Sequence, residues 1–308
     1  MSSLQDQHVL VTGGGGFVGA PTVRALLAQG ARVRVLDFAE PWRLEGLDVD
    51  LVIGDITDQA LVERACEGID CVAHLAVLPL NQANSDPVNA FETNVRGSFV
   101  VFDAAGRAGV PRIVYSSASS AYGPTEAYPI EEDHPLRPNA FYPATKAAGE
   151  MLLRGLAGVY GFGYLILRYM NVYGPGQRAG VVPAVATALL DGRAPKLSGD
   201  GTQSFDFVHI DDCAYANRLA LASERSGEAL NVGSGEATAL NEVVSLLSEI
   251  VGSTIEPEYD GPVATAPPRV GDVAKPRELL QFSAQVSLKD GLTSVIEELR
   301  ETREAQAA

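Results

Sequence analysis

The run His8-Val9-Leu10-Val11-Thr12 passes straight into Gly13-Gly14-Gly15-Gly16-Phe17-Val18-Gly19, and no other stretch restricts the fold so tightly. The first five residues read as an apolar strand that breaks into a glycine turn. A helix-like stretch follows from Ala20 to Gln29, closed by Gly30, and Arg32 to Leu36 reads as a second strand ending in Asp37. Glycines at such a turn let the backbone approach a pyrophosphate, whose charge sits at the helix N-terminus. Asp37, eighteen residues past Gly19, is placed to accept hydrogen bonds from an adenosine ribose and would repel a 2′-phosphate. Glycine-rich turns also occur without ligands. The strand before, the helix after and the acid at this distance make the reading specific: a dinucleotide site for NAD rather than NADP.

Strand-like runs recur at 50–54, 69–75, 112–116 and 163–168, with helical patterns near 59–67, 87–108 and 143–159 between them. This alternation predicts an α/β fold, a Rossmann-type doubly wound parallel sheet with helices on both faces. From about Gly174 prolines and glycines become denser and the elements shorter. The chain therefore divides into an NAD-binding domain over 1–173 and a smaller C-terminal α/β substrate lobe over 174–308, which can interleave with the first. The tail from Glu297 onward reads as a fraying, exposed helix.

A formal charge of −16 argues against a nucleic-acid partner, which needs a basic face. No run approaches the ~18 apolar residues of a membrane span. The stretch Met1 to Gln7 is polar, without the pattern of an export signal. Cys66, Cys71 and Cys213 are an odd number without metal-ligand spacing. The expectation is a cytoplasmic protein with no metal site.

Tyr142-Pro143-Ala144-Thr145-Lys146 is the second strong signal. A spacing of four puts tyrosine and lysine on one helix face, and Pro143 suits a first helical turn. A phenol titrates near ~10 and is a poor base at neutral pH. A neighbouring ammonium and a cationic nicotinamide both favour the phenolate and bring it toward the working range.

With these residues in view the chain resembles the extended short-chain dehydrogenase/reductases, specifically the NAD-dependent nucleotide-sugar epimerase/dehydratase family, over about residues 8–292. Gly13, Gly16 and Gly19 match the family's glycine pattern. Asp55-Ile56 matches the pair that caps the adenine, His74-Leu75-Ala76 the end of the fourth strand, and Asn94-Val95-Arg96-Gly97 the helix motif. Residues Ser116 to Gly123 match the active-site strand and turn, and Arg168-Tyr169-Met170-Asn171-Val172-Tyr173-Gly174-Pro175 the end of the last sheet strand.

The resemblance implies that Gly13, Gly16, Phe17, Val18, Gly19, Asp37, Asp55, Ile56, Leu75, Ala76, Asn94, Ser116, Tyr169 and Val172 surround the cofactor with Tyr142 and Lys146. Tyr142 takes a proton from a sugar hydroxyl while its carbon gives hydride to NAD, and Lys146 holds the nicotinamide ribose. Asn171 meets the substrate diphosphate, and Val182 lies among the variable substrate contacts. Helices equivalent to those bearing Phe91, Val95, Phe99, Phe102, Met151, Leu152 and Val159 form a homodimer seam in relatives; a thicker core is the alternative.

Departures bear on the reaction. Relatives usually carry a serine or threonine four residues before the tyrosine of the Tyr-Gly turn, and here that residue is Ala118. Ser119, Ser117 or a water could replace its hydroxyl, Ser119 being favoured. Strand alternation turns both serines away from Ala118's face unless the strand has already broken. The 4,6-dehydratases and glucuronate decarboxylases carry an acid where this chain has Ser120, which favours epimerisation or simple redox. Phe205 stands where many relatives have a diphosphate-clamping arginine. Arg178 or Arg269 could supply that charge, and Phe205 could stack on a base or pack under the lobe. The reading that follows is C4 epimerisation of a UDP-hexose or UDP-hexuronate. The alternatives are a net oxidoreductase on a keto-sugar, or a non-catalytic dinucleotide sensor.

Overall fold

The computed structural model describes residues 3–262 and 267–307. Its centre is a sheet of seven strands: β1 (His8–Thr12), β2 (Arg32–Asp37), β3 (Asp50–Ile53), β4 (Cys71–His74), β5 (Arg112–Ala118), β6 (Gly163–Tyr169) and Glu228–Val232. From one edge the order is Glu228–Val232, β6, β5, β4, β1, β2, β3, and every pairing is parallel. Successive residues of β1 serve opposite faces. Val9 and Val11 pack into one core and Leu10 into the other, as the period of two requires. Helices Gly19–Leu27 and Ile210–Ala222 cover one face; Gln59–Ala65, Ser98–Arg107 and Phe141–Tyr160 cover the other.

The chain runs from β1 outward to β2 and β3, then returns to β4 on the other side of β1. A crevice opens at the carboxyl ends of the strands where the order reverses, the place such sheets bind ligands. The helical pattern over 87–108 is interrupted: Pro87–Phe91 leads into a wide π turn, Glu92–Gly97, before Ser98–Arg107. Such bulges re-aim a side chain locally, and here the re-aimed residue is Asn94. The helix expected over 143–159 runs Phe141–Tyr160, with Pro143 in its first turn.

Beyond residue 173 the chain divides between two bodies. Residues 210–232 return to the main sheet as a covering helix and the seventh strand. The rest builds a third core, in which helices Val181–Leu190, Leu240–Val251 and Leu288–Ala307 bury Val185, Leu189, Val243, Leu247, Leu292 and Ile296 around Tyr173. Two-stranded pairings, Asn171–Tyr173 with Phe207–His209 and Ser204–Phe205 with Thr238–Ala239, tie this lobe to the strand ends. The two regions interleave. The last helix begins well before Glu297 and is anchored by Leu292, Val295 and Ile296.

Candidate active site

The glycine turn forms where β1 ends. Gly13 has φ +68°, and a Cβ there would come within 2.7 Å of the Ala76 backbone. A Cβ on Gly19 would come within 2.0 Å of the Gly13 carbonyl oxygen. Only glycine allows this turn to close against the start of the helix and the β4 loop. Phe17 and Val18 complete the turn, half-buried beside Gly16. Asp37, at the end of β2, accepts from the Gly15 and Phe38 N–H groups, each at 2.8 Å. One carboxylate offers about four acceptor positions, so capacity remains for ribose hydroxyls. The cradle therefore fits an adenosine diphosphate moiety. After β3, Ile56 is buried and Asp55 exposed.

The loop after β4 is fixed from three sides. Thr12 Oγ1 lies 2.7 Å from His74 Nδ1 and accepts from the Ala76 N–H at 3.3 Å. His74 Nε2 lies 2.9 Å from Ser98 Oγ, and burial, with the Lys146 charge nearby, holds the imidazole down to about 3, so it stays neutral. Asn94, expected at the cofactor, uses its amide to bind loop to helix. It accepts from the Leu78 N–H at 2.7 Å and donates to Leu78 O at 3.1 Å and Thr145 Oγ1 at 3.2 Å. Its hydrogen bonds tie the loop that follows Leu75 and Ala76 to the helix Phe141–Tyr160.

Tyr142 and Lys146 lie one turn apart on the helix Phe141–Tyr160. Lys146 is buried; its Nζ donates to Ser116 O at 2.7 Å and sits 5.1 Å from the Tyr115 ring centre. Burial pulls the ammonium down to about 7, opposed by Glu150. The Tyr142 phenol is half-buried and has no hydrogen-bond partner among the described residues. Burial pushes it up to about 12. Burial is the cause of that shift, since it disfavours the charged phenolate.

β5 ends at Ala118, and Ser119 opens a tight turn to Tyr122. The strand has thus broken before Ser119, which frees it from the alternation that would have turned it away. Ser119 is buried, and its hydroxyl has no partner among the described residues. Ser117 is not a substitute for the missing hydroxyl: it donates to Glu150 Oε1 at 2.6 Å, inside a buried ion pair. Ser120 Oγ is buried without a partner.

Asn171 starts the short strand beside Phe207, half-buried, with no side-chain partner among the described residues. Val172 is half-buried next to it. Tyr169 is buried and its hydroxyl donates to Asn217 Oδ1 at 2.7 Å. The Val182 side chain is 1% exposed, packed in the lobe core in the same cluster as Tyr173, so only its backbone is left for a substrate contact. Phe205 packs against Phe207, ring centres 6.4 Å apart. Arg269 bridges Phe205 in backbone register and donates to Gly123 O at 3.1 Å, at the catalytic turn. Arg178 is exposed and near Arg43.

Two residues escaped the sequence reading. Glu150 follows Lys146 by four, and Arg168 interrupts the apolar run of β6. A lone charge in a buried strand signals an opposite buried charge.

A family model described as the NAD dependent epimerase/dehydratase family matches residues 9–233. The chain is 35% identical over 314 residues to the UDP-glucose 4-epimerase of Mycolicibacterium smegmatis, covering 95% of this chain and 98% of that one. It is 30% identical over 322 residues to the dTDP-glucose 4,6-dehydratase of Streptomyces niveus, covering 96% and 94%. The crystal structure of the Thermotoga maritima UDP-glucose 4-epimerase with UDP-glucose superimposes with a TM-score of 0.89 at 33% identity, covering 96% of this chain and all of that one. With the glycine turn, Asp37 and the Tyr142–Lys146 helix at the crevice, these likenesses make the chain a member of the NAD-dependent epimerase/dehydratase family.

Proposed function

We propose that this chain is an NAD-dependent nucleotide-sugar epimerase that inverts C4 of a UDP-hexose or UDP-hexuronate. The observation that supports the reading is the bond from Lys146 to Ser116 O on β5, a strand that lies two places from β1 and its glycine turn, with Tyr142 one helical turn away and Ser120 where a dehydratase has its acid. The glycine turn, Asp37 and Lys146 would hold NAD, which would supply a reversible hydride acceptor, so that no outside oxidant is consumed. Tyr142 would take the C4 hydroxyl proton as C4 gives up its hydride; once the 4-keto sugar has rotated, hydride would return to the opposite face of C4 and Tyr142 would give the proton back to the C4 oxygen. Ser119 offers the assisting hydroxyl, and Asn171 and Arg269 receive the diphosphate, with Arg178 at the outer end. The test is incubation of protein and NAD with a panel of UDP- and dTDP-sugars, followed by mass-resolved chromatography. A product of unchanged mass supports the reading. Loss of water, or a change of two hydrogens with stoichiometric NAD turnover, replaces it with dehydration or net redox.

The reading extends to a homodimer. Val88, Phe91, Phe99, Met151 and Val159 form an apolar face on the helices beside the π turn, Val88 being 76% exposed and Val159 71%. Val95 and Leu152 lie half-buried at its edge. Phe102 does not belong to it; it is fully buried, edge-on to His74 and Tyr115. Sedimentation at twice the mass of one chain is the expected result, and a Phe99→Glu/Met151→Glu variant at one chain mass locates the seam. No described helix is long and apolar enough to cross a membrane, and the three cysteines are free and buried, which fits a reducing cytoplasm.

A further inference from the structure

Behind the Tyr142–Lys146 pair lies a buried polar chain that the proposed reaction does not itself require. Glu150, one turn beyond Lys146 on the same helix, is 0% exposed, and its ion partner Arg168, on β6, is 3% exposed. The pairing is two-pronged: Arg168 Nε donates to Glu150 Oε1 at 3.0 Å and Nη2 to Oε2 at 2.7 Å. Ser117 Oγ adds a third donor to Oε1 at 2.6 Å. The other arm of Arg168 donates to Tyr122 Oη at 3.0 Å and Glu132 O at 2.8 Å. Tyr122 in turn donates to Asn231 Oδ1 at 2.7 Å. Tyr122 opens into Gly123, whose carbonyl receives Arg269. One continuous set of bonds therefore joins the catalytic helix to the turn on the substrate side.

We propose, resting on the epimerase reading above, that Glu150 is a positioning residue which decides where the proton of the Tyr142–Lys146 pair resides, with Arg168 and Ser117 holding its carboxylate in place. The two groups share a problem of placement. A base is needed at Tyr142 and a cation at Lys146; the opposite arrangement, phenol with neutral amine, holds the same number of protons and is inert. Removal of one proton gives either arrangement, and the local charges set their ratio. Burial favours the inert one, since it disfavours ammonium and phenolate alike. The groups around Lys146 are Tyr142 and Glu150 on its own helix, Tyr115 on β5 and neutral His74 on β4, with Arg168 on β6 behind Glu150. Among them Glu150 is the anion that raises the lysine. Its bonds to Arg168 and Ser117 fix it at a constant distance and keep Arg168 from acting as a free competing cation.

The signature is a pH-dependent defect. At low pH both groups are protonated, and the amount of phenolate formed does not depend on where Lys146 titrates. As pH rises, a weaker lysine gives up its proton in place of tyrosine. Glu150→Gln is therefore expected to match the parent within about twofold at the acid end and to fall about tenfold behind above neutrality, the effect of one pKa unit at Lys146. Glu150→Asp, which keeps the charge, is expected to recover most of the alkaline activity. A purely structural residue would lower activity by the same factor at all pH values, and that result overturns the proposal.

A readout that needs no substrate separates this proposal from the epimerase reading. Trace acetylation of Lys146 in NAD-loaded protein is followed by peptide mass spectrometry, normalised to exposed Lys196. At pH 6, with Lys146 of the parent at about 7, Lys146 in Glu150→Gln is expected to react about fivefold more than in the parent, the effect of one pKa unit at that pH. Equal reactivity overturns the proposal whatever the sugar panel shows. Should Glu150→Gln fail to fold, Ser117→Ala leaves the ion pair intact and removes one bond. A smaller shift in the same direction, about twofold to threefold, supports the proposal, and no shift overturns it.

Discussion

Tyr142→Phe is expected to lower turnover of the UDP-sugar by about 10²- to 10⁴-fold, the range in which a positioned acid/base acts, with folding and NAD affinity unchanged. The argument is one of what the hydroxyl touches. Tyr142 Oη has no hydrogen-bond partner among the described residues, so its removal orphans no buried donor or acceptor. The ring that packs at the start of the catalytic helix remains. The loss should therefore fall on kcat, with KM and melting temperature close to the parent's. Ser119→Ala should cost less, about tenfold, since its hydroxyl assists a proton transfer it does not make. A Tyr142→Phe variant that keeps a tenth or more of the parent's turnover removes the proposed mechanism. A variant that loses NAD as well as turnover would mean the ring, not the hydroxyl, matters.

The parts of the site visible in the sequence are those set by short-range geometry. The glycine turn, Asp37 and the Tyr142–Lys146 spacing each lie within one βαβ unit or one helical turn, where strand and helix periods place the side chains. The parts that were misplaced depend on partners distant along the chain. Ser117 looks available until Glu150, on the next helix, takes its hydrogen bond. Asn94, inside the π turn, also bonds to Leu78 and Thr145, partners that its motif does not indicate. Val182 and Phe205 are apolar in a variable lobe, and only the third core shows which way they face. Arg269 is the converse. It lies sixty-four residues from Phe205 in sequence, and a single β-bridge puts it at the same level of the site. The seventh strand, Glu228–Val232, was likewise hidden, because the chain leaves the sheet at residue 169 and rebuilds part of the second lobe before returning.

Lys146→Met should show that the site is maintained against folding stability. Burial holds the ammonium at about 7, against an ordinary value near ~10.4 in the unfolded chain. Between those values the unfolded chain binds the extra proton. The stability tied to this group is fully present above pH ~10 and is lost as pH falls toward 7, at up to ~1.4 kcal/mol per pH unit. Below 7 the penalty is constant. The gross penalty at neutral pH is on the order of 4 kcal/mol, and the lost bond to Ser116 O offsets about 1 to 2 of it. Methionine fills much the same volume without a charge. The cofactor-stripped variant should therefore be about 2–3 kcal/mol more stable than the parent at pH 7, with the gain gone by pH 10.5. Urea unfolding at the two pH values measures it. Turnover should fall at least about a hundredfold, because the phenolate loses its cation. A variant less stable than the parent at pH 7 would mean that Lys146 is satisfied where it sits, and that Glu150 and Ser116 O offset its burial completely. Greater stability with lost turnover would instead mark Lys146 as a charge that folding alone would not retain, kept because proton transfer at Tyr142 needs it.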